Sequence, residues 1–355
     1  MVRIAYLGPE GTFTEAALVR MVAAGLVPET GPDALQRMPV ESAPAALAAV
    51  RDGGADYACV PIENSIDGSV LPTLDSLAIG VRLQVFAETT LDVTFSIVVK
   101  PGRNAADVRT LAAFPVAAAQ VRQWLAAHLP AADLRPAYSN ADAARQVADG
   151  LVDAAVTSPL AAARWGLAAL ADGVVDESNA RTRFVLVGRP GPPPARTGAD
   201  RTSAVLRIDN QPGALVAALA EFGIRGIDLT RIESRPTRTE LGTYLFFVDC
   251  VGHIDDEAVA EALKAVHRRC ADVRYLGSWP TGPAAGAQPP LVDEASRWLA
   301  RLRAGKPEQT LVRPDDQGRK HERSFGAAAA RPVLWQRRAQ VGYPAAGNGA
   351  DTAGS

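Results

Sequence analysis

Four short stretches of this sequence set hydroxyl, amide and carboxylate side chains beside glycine or proline, where the chain turns out of strand-like runs. They are Gly8-Pro9-Glu10-Gly11-Thr12-Phe13-Thr14; Pro61-Ile62-Glu63-Asn64-Ser65, closed by Gly68-Ser69; Ser139-Asn140; and the run from Asn179 to Phe184, which carries Arg181, Thr182 and Arg183. The first turn of a helix leaves backbone N–H groups unpaired, and the helix dipole favours negative charge there. Hydroxyls and amides at such turns, with no Ser-His pair and no metal ligands among them, suit a small organic anion. A blander assignment stands beside this one. Thr12, Ser69 and Asn140 each also suit a helix N-cap, worth about 1 kcal/mol, and Arg181 and Arg183 suit surface ion pairs. Composition and spacing alone leave both open.

Metal and redox chemistry find little support. His128, His253, His267 and His321 are scattered, without the spacing of a zinc site. Cys59, Cys250 and Cys270 form no C-x-x-C pair and read as buried, reduced, small hydrophobes. A formal net charge of -2 over 355 residues gives no hint of nucleic acid or an anionic membrane as partner. No apolar run is long enough to span a bilayer, and the N-terminus enters a strand-like segment at once, without the features of a signal peptide. The expectation is a cytoplasmic protein that works without a metal.

The elements that must hold these turns alternate between β-like and helical patterns. Strands are expected at residues 3–7, 55–60, 154–157 and 184–187, with a pair of β segments at 83–100. Helices are expected from about 12–14, and at 70–78, 115–129, 142–149 and 159–170. The alternation predicts an α/β layer architecture up to about residue 188. Residues 188–201 (GRPGPPPARTGADR) are rich in proline and glycine and read as a linker. Residues 202–280 then follow a β-α-β-β-α-β order, which predicts a ferredoxin-like sheet with two helices on one face. Beyond 280 a single helix is expected at 292–303, and the rest of the tail, to residue 355, has the composition of a disordered segment.

Three motifs of the first unit, YLGPEGTFTEAAL (6–18), VPIENSIDGSV (60–70) and TRFVLVG (182–188), together resemble those of prephenate dehydratases. NQPGAL (210–215) and IESRP (232–236) resemble the ACT regulatory domain that follows in that family. The match runs from about residue 3 to 280. It implies two lobes around a cleft, similar to type II periplasmic binding proteins. Lobe one would comprise about 1–78 and 178–190, lobe two 79–177, with a linker at 191–201 and the ACT domain at 202–280. The reaction implied is loss of water and carbon dioxide from prephenate to give phenylpyruvate. Aromatisation drives it, so no cofactor is implied.

By the same resemblance Thr182 donates to the departing hydroxyl, and Asn64 and Gln120 act in catalysis or substrate orientation. Glu63, Ser65, Ser139, Asn140, Arg183 and Phe184 would bind substrate, Arg183 through its guanidinium and Glu63 in a mainly structural way. Two departures stand out. Phe114-Pro115-Val116 replaces the family's frequent His-Pro-Gln, and Asn140 replaces a threonine. In the second domain Gly213, Ala214 and Leu215, with Glu233, Ser234, Arg235 and Pro236, would bind L-phenylalanine where two ACT domains meet, within a homo-oligomer that is a dimer of dimers. The alternatives are an arogenate dehydratase, a non-catalytic small-anion binding protein and a ligand-responsive transcription regulator. The last has no N-terminal helix-turn-helix to support it.

Overall fold

The structure, a computed structural model, describes residues 1–28, 35–176, 180–238, 242–282, 288 and 293–306. The chain opens with β1 (Val2–Leu7), whose Ile4, Ala5 and Tyr6 are all buried, so both faces of the strand are covered. Helix α1 (Phe13–Ala23) begins at Thr12, whose hydroxyl accepts the N–H of Glu15. Strand β2 (Leu35–Val40) and helix α2 (Ala43–Arg51), capped by Ser42, follow. Strand β3 (Tyr57–Asn64) lies on the other side of β1, and both pairings of β1 are parallel. The short β4 (Gly68–Ser69) folds back on β3, α3 (Leu71–Ala78) follows, and β5 (Gln84–Asp92) forms the far edge of the same sheet.

A second lobe begins with β6 (Phe95–Val99) and β7 (Thr110–Ala113). Helices α4 (Pro115–Gln120) and α5 (Arg122–His128) lead to β8 (Asp133–Pro136), then α6 (Asn140–Asp149), β9 (Ala154–Thr157), α7 (Pro159–Arg164) and β10 (Ala168–Val174). Its strand order is β10-β6-β9-β7-β8. The chain then returns as β11 (Arg181–Gly188), which enters antiparallel between β3 and β5 and completes the first sheet as β2-β1-β3-β11-β5, with β4 beside β3.

This two-lobed α/β arrangement matches the expected architecture, with one boundary moved. Lobe one runs to about residue 92, not 78, because β5 pairs along the whole of β11. The two β segments expected at 83–100 are therefore divided between the lobes. Two helices also differ. The stretch 115–129 is broken at Val121, whose side chain is fully buried. The helix expected to reach 170 stops at Arg164, and the chain re-enters the second sheet as β10.

The C-terminal domain consists of β12 (Asp200–Arg207), α8 (Ala214–Gly223), β13 (Leu229–Pro236), β14 (Tyr244–Val251), α9 (Glu257–Arg269) and β15 (Asp272–Pro280). The antiparallel strands run β13-β14-β12-β15, in the expected ferredoxin-like order. One face is covered by the two helices, with Leu206, Val248, Phe222 and Val259 in a common core. The other face packs on lobe one, where Val205, Phe247, Leu276 and Trp279 share a core with Val60, Leu77, Val85 and Val187. The approach of β15 to β5 is close. Gly277 has φ +134°, and a Cβ there would stand 2.4 Å from the Val85 carbonyl oxygen, so only glycine fits.

The linker is pinned rather than loose. Thr197 and Gly198 donate their N–H groups to Asp200, and His253 Nε2 lies 3.0 Å from the Pro194 oxygen. Helix α10 (Asp293–Arg303) forms where one was expected. The tail from residue 307, expected to be disordered, lies outside the described residues.

Candidate active site

Strands β3 and β11 bring together residues from two distant motifs. Thr182 stands directly opposite Asn64 in the antiparallel ladder, and Arg183 opposite Glu63. The register then slips, so that Phe184 faces Pro61. Ile62 is the extra residue of this bulge, beside a proline that has no N–H for the ladder. Because side chains alternate along a strand, Thr182 and Phe184 share one face of β11. Both line a cleft of about 1260 Å³ between the lobes.

The hydrogen bonds around Thr182 set the direction in which its hydroxyl can donate. Asn64 Nδ2 donates to Thr182 Oγ1 at 2.9 Å. The orientation of that amide is set from behind, because Asn64 Oδ1 accepts the N–H groups of Ile66 at 2.8 Å and Asp67 at 3.0 Å. The Thr182 oxygen is thus occupied as an acceptor and its own proton is left to donate into the cleft. The residue as a whole is only 8% exposed.

Helix starts from both lobes face the cleft. The first turn of α1, with Thr12, Phe13 and Thr14, lines it from lobe one, and the first turn of α6, with Ser139, Asn140 and Asp142, from lobe two. Thr12 caps α1, as the blander assignment had it. Ser139, not Asn140, caps α6, accepting the Asp142 N–H at 3.0 Å. Asn140 is then free of capping, and its Oδ1 is buried with no partner among the described residues. Two helix N-termini and an unpaired amide oxygen are groups that suit an anion carrying a hydroxyl.

The cleft contains cations that sequence reasoning did not find. Arg164 reaches across from lobe two to Glu10 at 2.5 Å and to the buried Glu15 at 3.2 Å. Arg145, also in the wall, pairs with Asp142 at 2.7 Å. The lobes also touch where Ser158 Oγ donates to the Gly11 oxygen at 2.6 Å. A Cβ at Gly11 would lie 3.0 Å from that of Ala161. Tyr138 stands at the rim, 94% exposed. Among the described residues no group of three or more His, Cys, Asp or Glu side chains is arranged to hold a metal ion.

Other expected site residues lie elsewhere. Arg183 faces away from the cleft, because it alternates with Thr182 and Phe184. Its guanidinium bonds Glu63 at 2.8 Å, Asp249 of the C-terminal domain at 2.9 Å and Glu88 at 3.3 Å. Burial alone would lower its pKa, but these three carboxylates outweigh that and hold it above the ordinary arginine value. Glu63 is accordingly part of this ion cluster and does not line the cleft. Ser65 also lies outside the cleft lining, and its Oγ accepts the Arg181 N–H at 2.8 Å, fastening the start of β11. Gln120 ends α4 outside the lining of the cleft, its Oε1 buried and without a partner among the described residues. Asn179 lies outside the described residues.

In the C-terminal domain Gly213 precedes α8 with φ +79°, and a Cβ there would meet nothing within 4 Å. Conformation, rather than a crowded approach, asks for glycine. Ala214 and Leu215 are half-buried in the first turn of α8. On β13 the two faces differ. Ser234 and Pro236 are exposed, whereas Glu233 accepts from Ser69 Oγ at 2.9 Å and Arg235 forks onto Asp75 at 2.8 and 3.0 Å. These last two side chains were expected to meet a ligand and instead hold lobe one.

Residues 4–192 match the prephenate dehydratase family and residues 202–268 the ACT domain. The chain is 84% identical over 309 residues to a prephenate dehydratase of Mycobacterium leprae (strain Br4923), covering 86% of this chain and 96% of that one. It is 78% identical over 314 residues to a prephenate dehydratase of Mycobacterium ulcerans (strain Agy99), covering 88% of this chain and all of that one. The crystal structure of prephenate dehydratase in complex with L-Phe from Arthrobacter aurescens is similar at a TM-score of 0.75 and 40% identity, over 86% of this chain and 100% of the other.

Proposed function

The chain belongs to the prephenate dehydratase family, and we propose that its interlobe cleft converts prephenate to phenylpyruvate, with Thr182 as the group that meets the leaving hydroxyl. The protein is a decarboxylating carbon–oxygen lyase with an ACT domain that responds to L-phenylalanine. As the ring C–O bond breaks, the electron pair of the bond to the departing carboxylate enters the ring, and carbon dioxide and water leave. Thr182 donates a hydrogen bond to the oxygen as negative charge develops on it. The single observation that carries this role is the Asn64 to Thr182 hydrogen bond, which commits the threonine oxygen as acceptor and its proton to the cleft. A threonine hydroxyl is a weak acid, so the proton that completes the water molecule comes ultimately from solvent.

The first turns of α1 and α6, with Arg164 and Arg145 beside them, support binding of the two substrate carboxylates. Phe184 supplies an apolar wall for the ring, and Asn140 Oδ1 an acceptor for the ring hydroxyl. Ser139 acts through the helix start it caps. Gln120 contributes only if its side chain turns toward bound substrate, and its unpaired Oε1 supports that freedom.

Effector binding is assigned to the Gly213–Leu215 turn and the exposed side of β13. The same surface supports a homo-oligomer. β13 is an edge strand, and Ile232, Tyr244, Val216 and Ile224 are exposed apolar residues of this domain. Three free cysteines, two of them buried, support a reducing compartment such as the cytoplasm. The test is turnover of prephenate and of arogenate side by side, with and without L-phenylalanine, with particle mass measured by light scattering. Prephenate turnover repressed by L-phenylalanine is the expected result, and exclusive turnover of arogenate would replace the substrate.

A further inference from the structure

We propose that the C-terminal domain controls the Asn64–Thr182 pair through two ties, Glu233 to Ser69 and Asp249 to Arg183, so that Ser69 and Arg183 are positioning residues for the reactive hydroxyl. The proposal rests on the reaction and effector assigned above and adds the route between them.

The first tie holds the hairpin that carries Asn64. β4 pairs with β3 only at Glu63–Ser69 and Asn64–Gly68, and Ser69 Oγ donates to Glu233 Oε2 at 2.9 Å. The second tie holds the strand that carries Thr182. Arg183, its neighbour on β11, reaches Asp249 on β14 at 2.9 Å. Asp249 also receives Arg231 at 2.9 and 3.1 Å and Ser203 at 2.6 Å. Glu88 receives Arg201 at 3.0 Å and the Trp279 indole at 2.8 Å. Both strands that frame the reactive pair are therefore gripped from the same sheet face.

β13 is suited to pass a signal between its two sides. Arg231, Glu233 and Arg235 alternate onto the face against lobe one, while Ile232, Ser234 and Pro236 stand on the helix-bearing face, exposed there at the sheet edge. A ligand or a second subunit engaging the exposed face moves the same backbone that holds Ser69 and Asp75. The ion cluster responds in steps. Separating a buried guanidinium from its carboxylate leaves an uncompensated charge, so intermediate positions are costly. It is also not saturated, because Arg183 Nε and Arg231 Nη1 are buried without acceptors among the described residues.

The test compares the intact wild type with Ser69→Ala and Ser69→Thr. L-Phenylalanine affinity is measured by calorimetry with and without saturating phenylpyruvate, and the KM for prephenate with and without L-phenylalanine. Each variant yields a coupling ratio from which its basal level divides out, and by linkage L-phenylalanine must change the phenylpyruvate affinity by the same ratio as phenylpyruvate changes that of L-phenylalanine. The expected result is a wild-type ratio of about fivefold or more, a Ser69→Ala ratio within about twofold of one, and recovery in Ser69→Thr. L-Phenylalanine alone should bind Ser69→Ala as it binds wild type. A Ser69→Ala ratio equal to that of wild type would overturn the proposal while leaving the reaction and the effector intact. A wild type that turns over prephenate with a ratio of one would remove the assigned regulation, and this route with it.

Discussion

Asn64 and Thr182, 118 positions apart in the chain, are joined by one hydrogen bond of 2.9 Å in which the amide donates and the hydroxyl accepts. The direction of that bond has a kinetic consequence. Asn64→Asp keeps the shape and the contacts to Ile66 and Asp67, but a carboxylate only accepts. Thr182 would then turn its proton to Asp and away from the cleft. We expect kcat to fall roughly 10²-fold or more, with KM within about threefold. Thr182→Ala should lose as much, Thr182→Ser should retain most activity, and the double variant should be no worse than either single one. Phenylpyruvate formation measures all four.

Arg164 bridges the lobes at the cleft wall through Glu10 and Glu15. Its removal takes a cation from the substrate site without touching the reactive pair. Arg164→Gln should raise the KM for prephenate about tenfold and leave kcat within about threefold, the pattern of lost uniform binding. A steady-state titration decides it, and an equal fall in kcat and kcat/KM, with KM unchanged, would place Arg164 in the chemistry instead.

Two glycines with positive φ should differ sharply. Gly277→Ala meets both a forbidden conformation and the Val85 carbonyl oxygen, and is expected to cost about 2 kcal/mol or more. Gly213→Ala meets only the conformational penalty, about 1 kcal/mol. Urea unfolding followed by tryptophan fluorescence should show the larger loss at Gly277.

The ion cluster gives the protein a defined acid limit. Burial pushes the Asp249 carboxyl up, but Arg231, Arg183 and Arg201 outweigh it and hold it well below the usual 3.8. A depressed native pKa contributes stability that is fully present above the unfolded value and is lost as pH falls through the native one. The contribution should therefore be flat from pH 5 to 8 and decline only below about pH 4. Asp249→Asn, which leaves buried guanidinium charge uncompensated, should lower stability by about 3–5 kcal/mol at pH 7. The gap from wild type should narrow as pH drops below about 4, in urea midpoints measured across the range.

The motifs led to Thr182, Phe184, Ser139 and Asn140 in the cleft, because turns at strand ends and helix starts are local features. They did not lead to the Asn64–Thr182 contact, which depends on strand order rather than on spacing. The side taken by Arg183 was readable, since period-two alternation in Thr182-Arg183-Phe184 sends it opposite the other two. Arg164 and Arg145 lie within alanine-rich helical turns and carry no motif of their own. β8 was missed because all four residues are exposed, leaving no hydrophobic alternation, and the break at Val121 because its burial comes from tertiary packing.

The place of β11 in the first sheet also bears on how the protein is made. During synthesis β3 and β5 emerge long before the strand that separates them. Until Gly188 has cleared the ribosome, the growing chain carries two strand edges with no partner, and the second lobe has time to fold first. Such edges are prone to pair with other chains. A pause in translation after that strand would therefore leave fewer open edges than one before it.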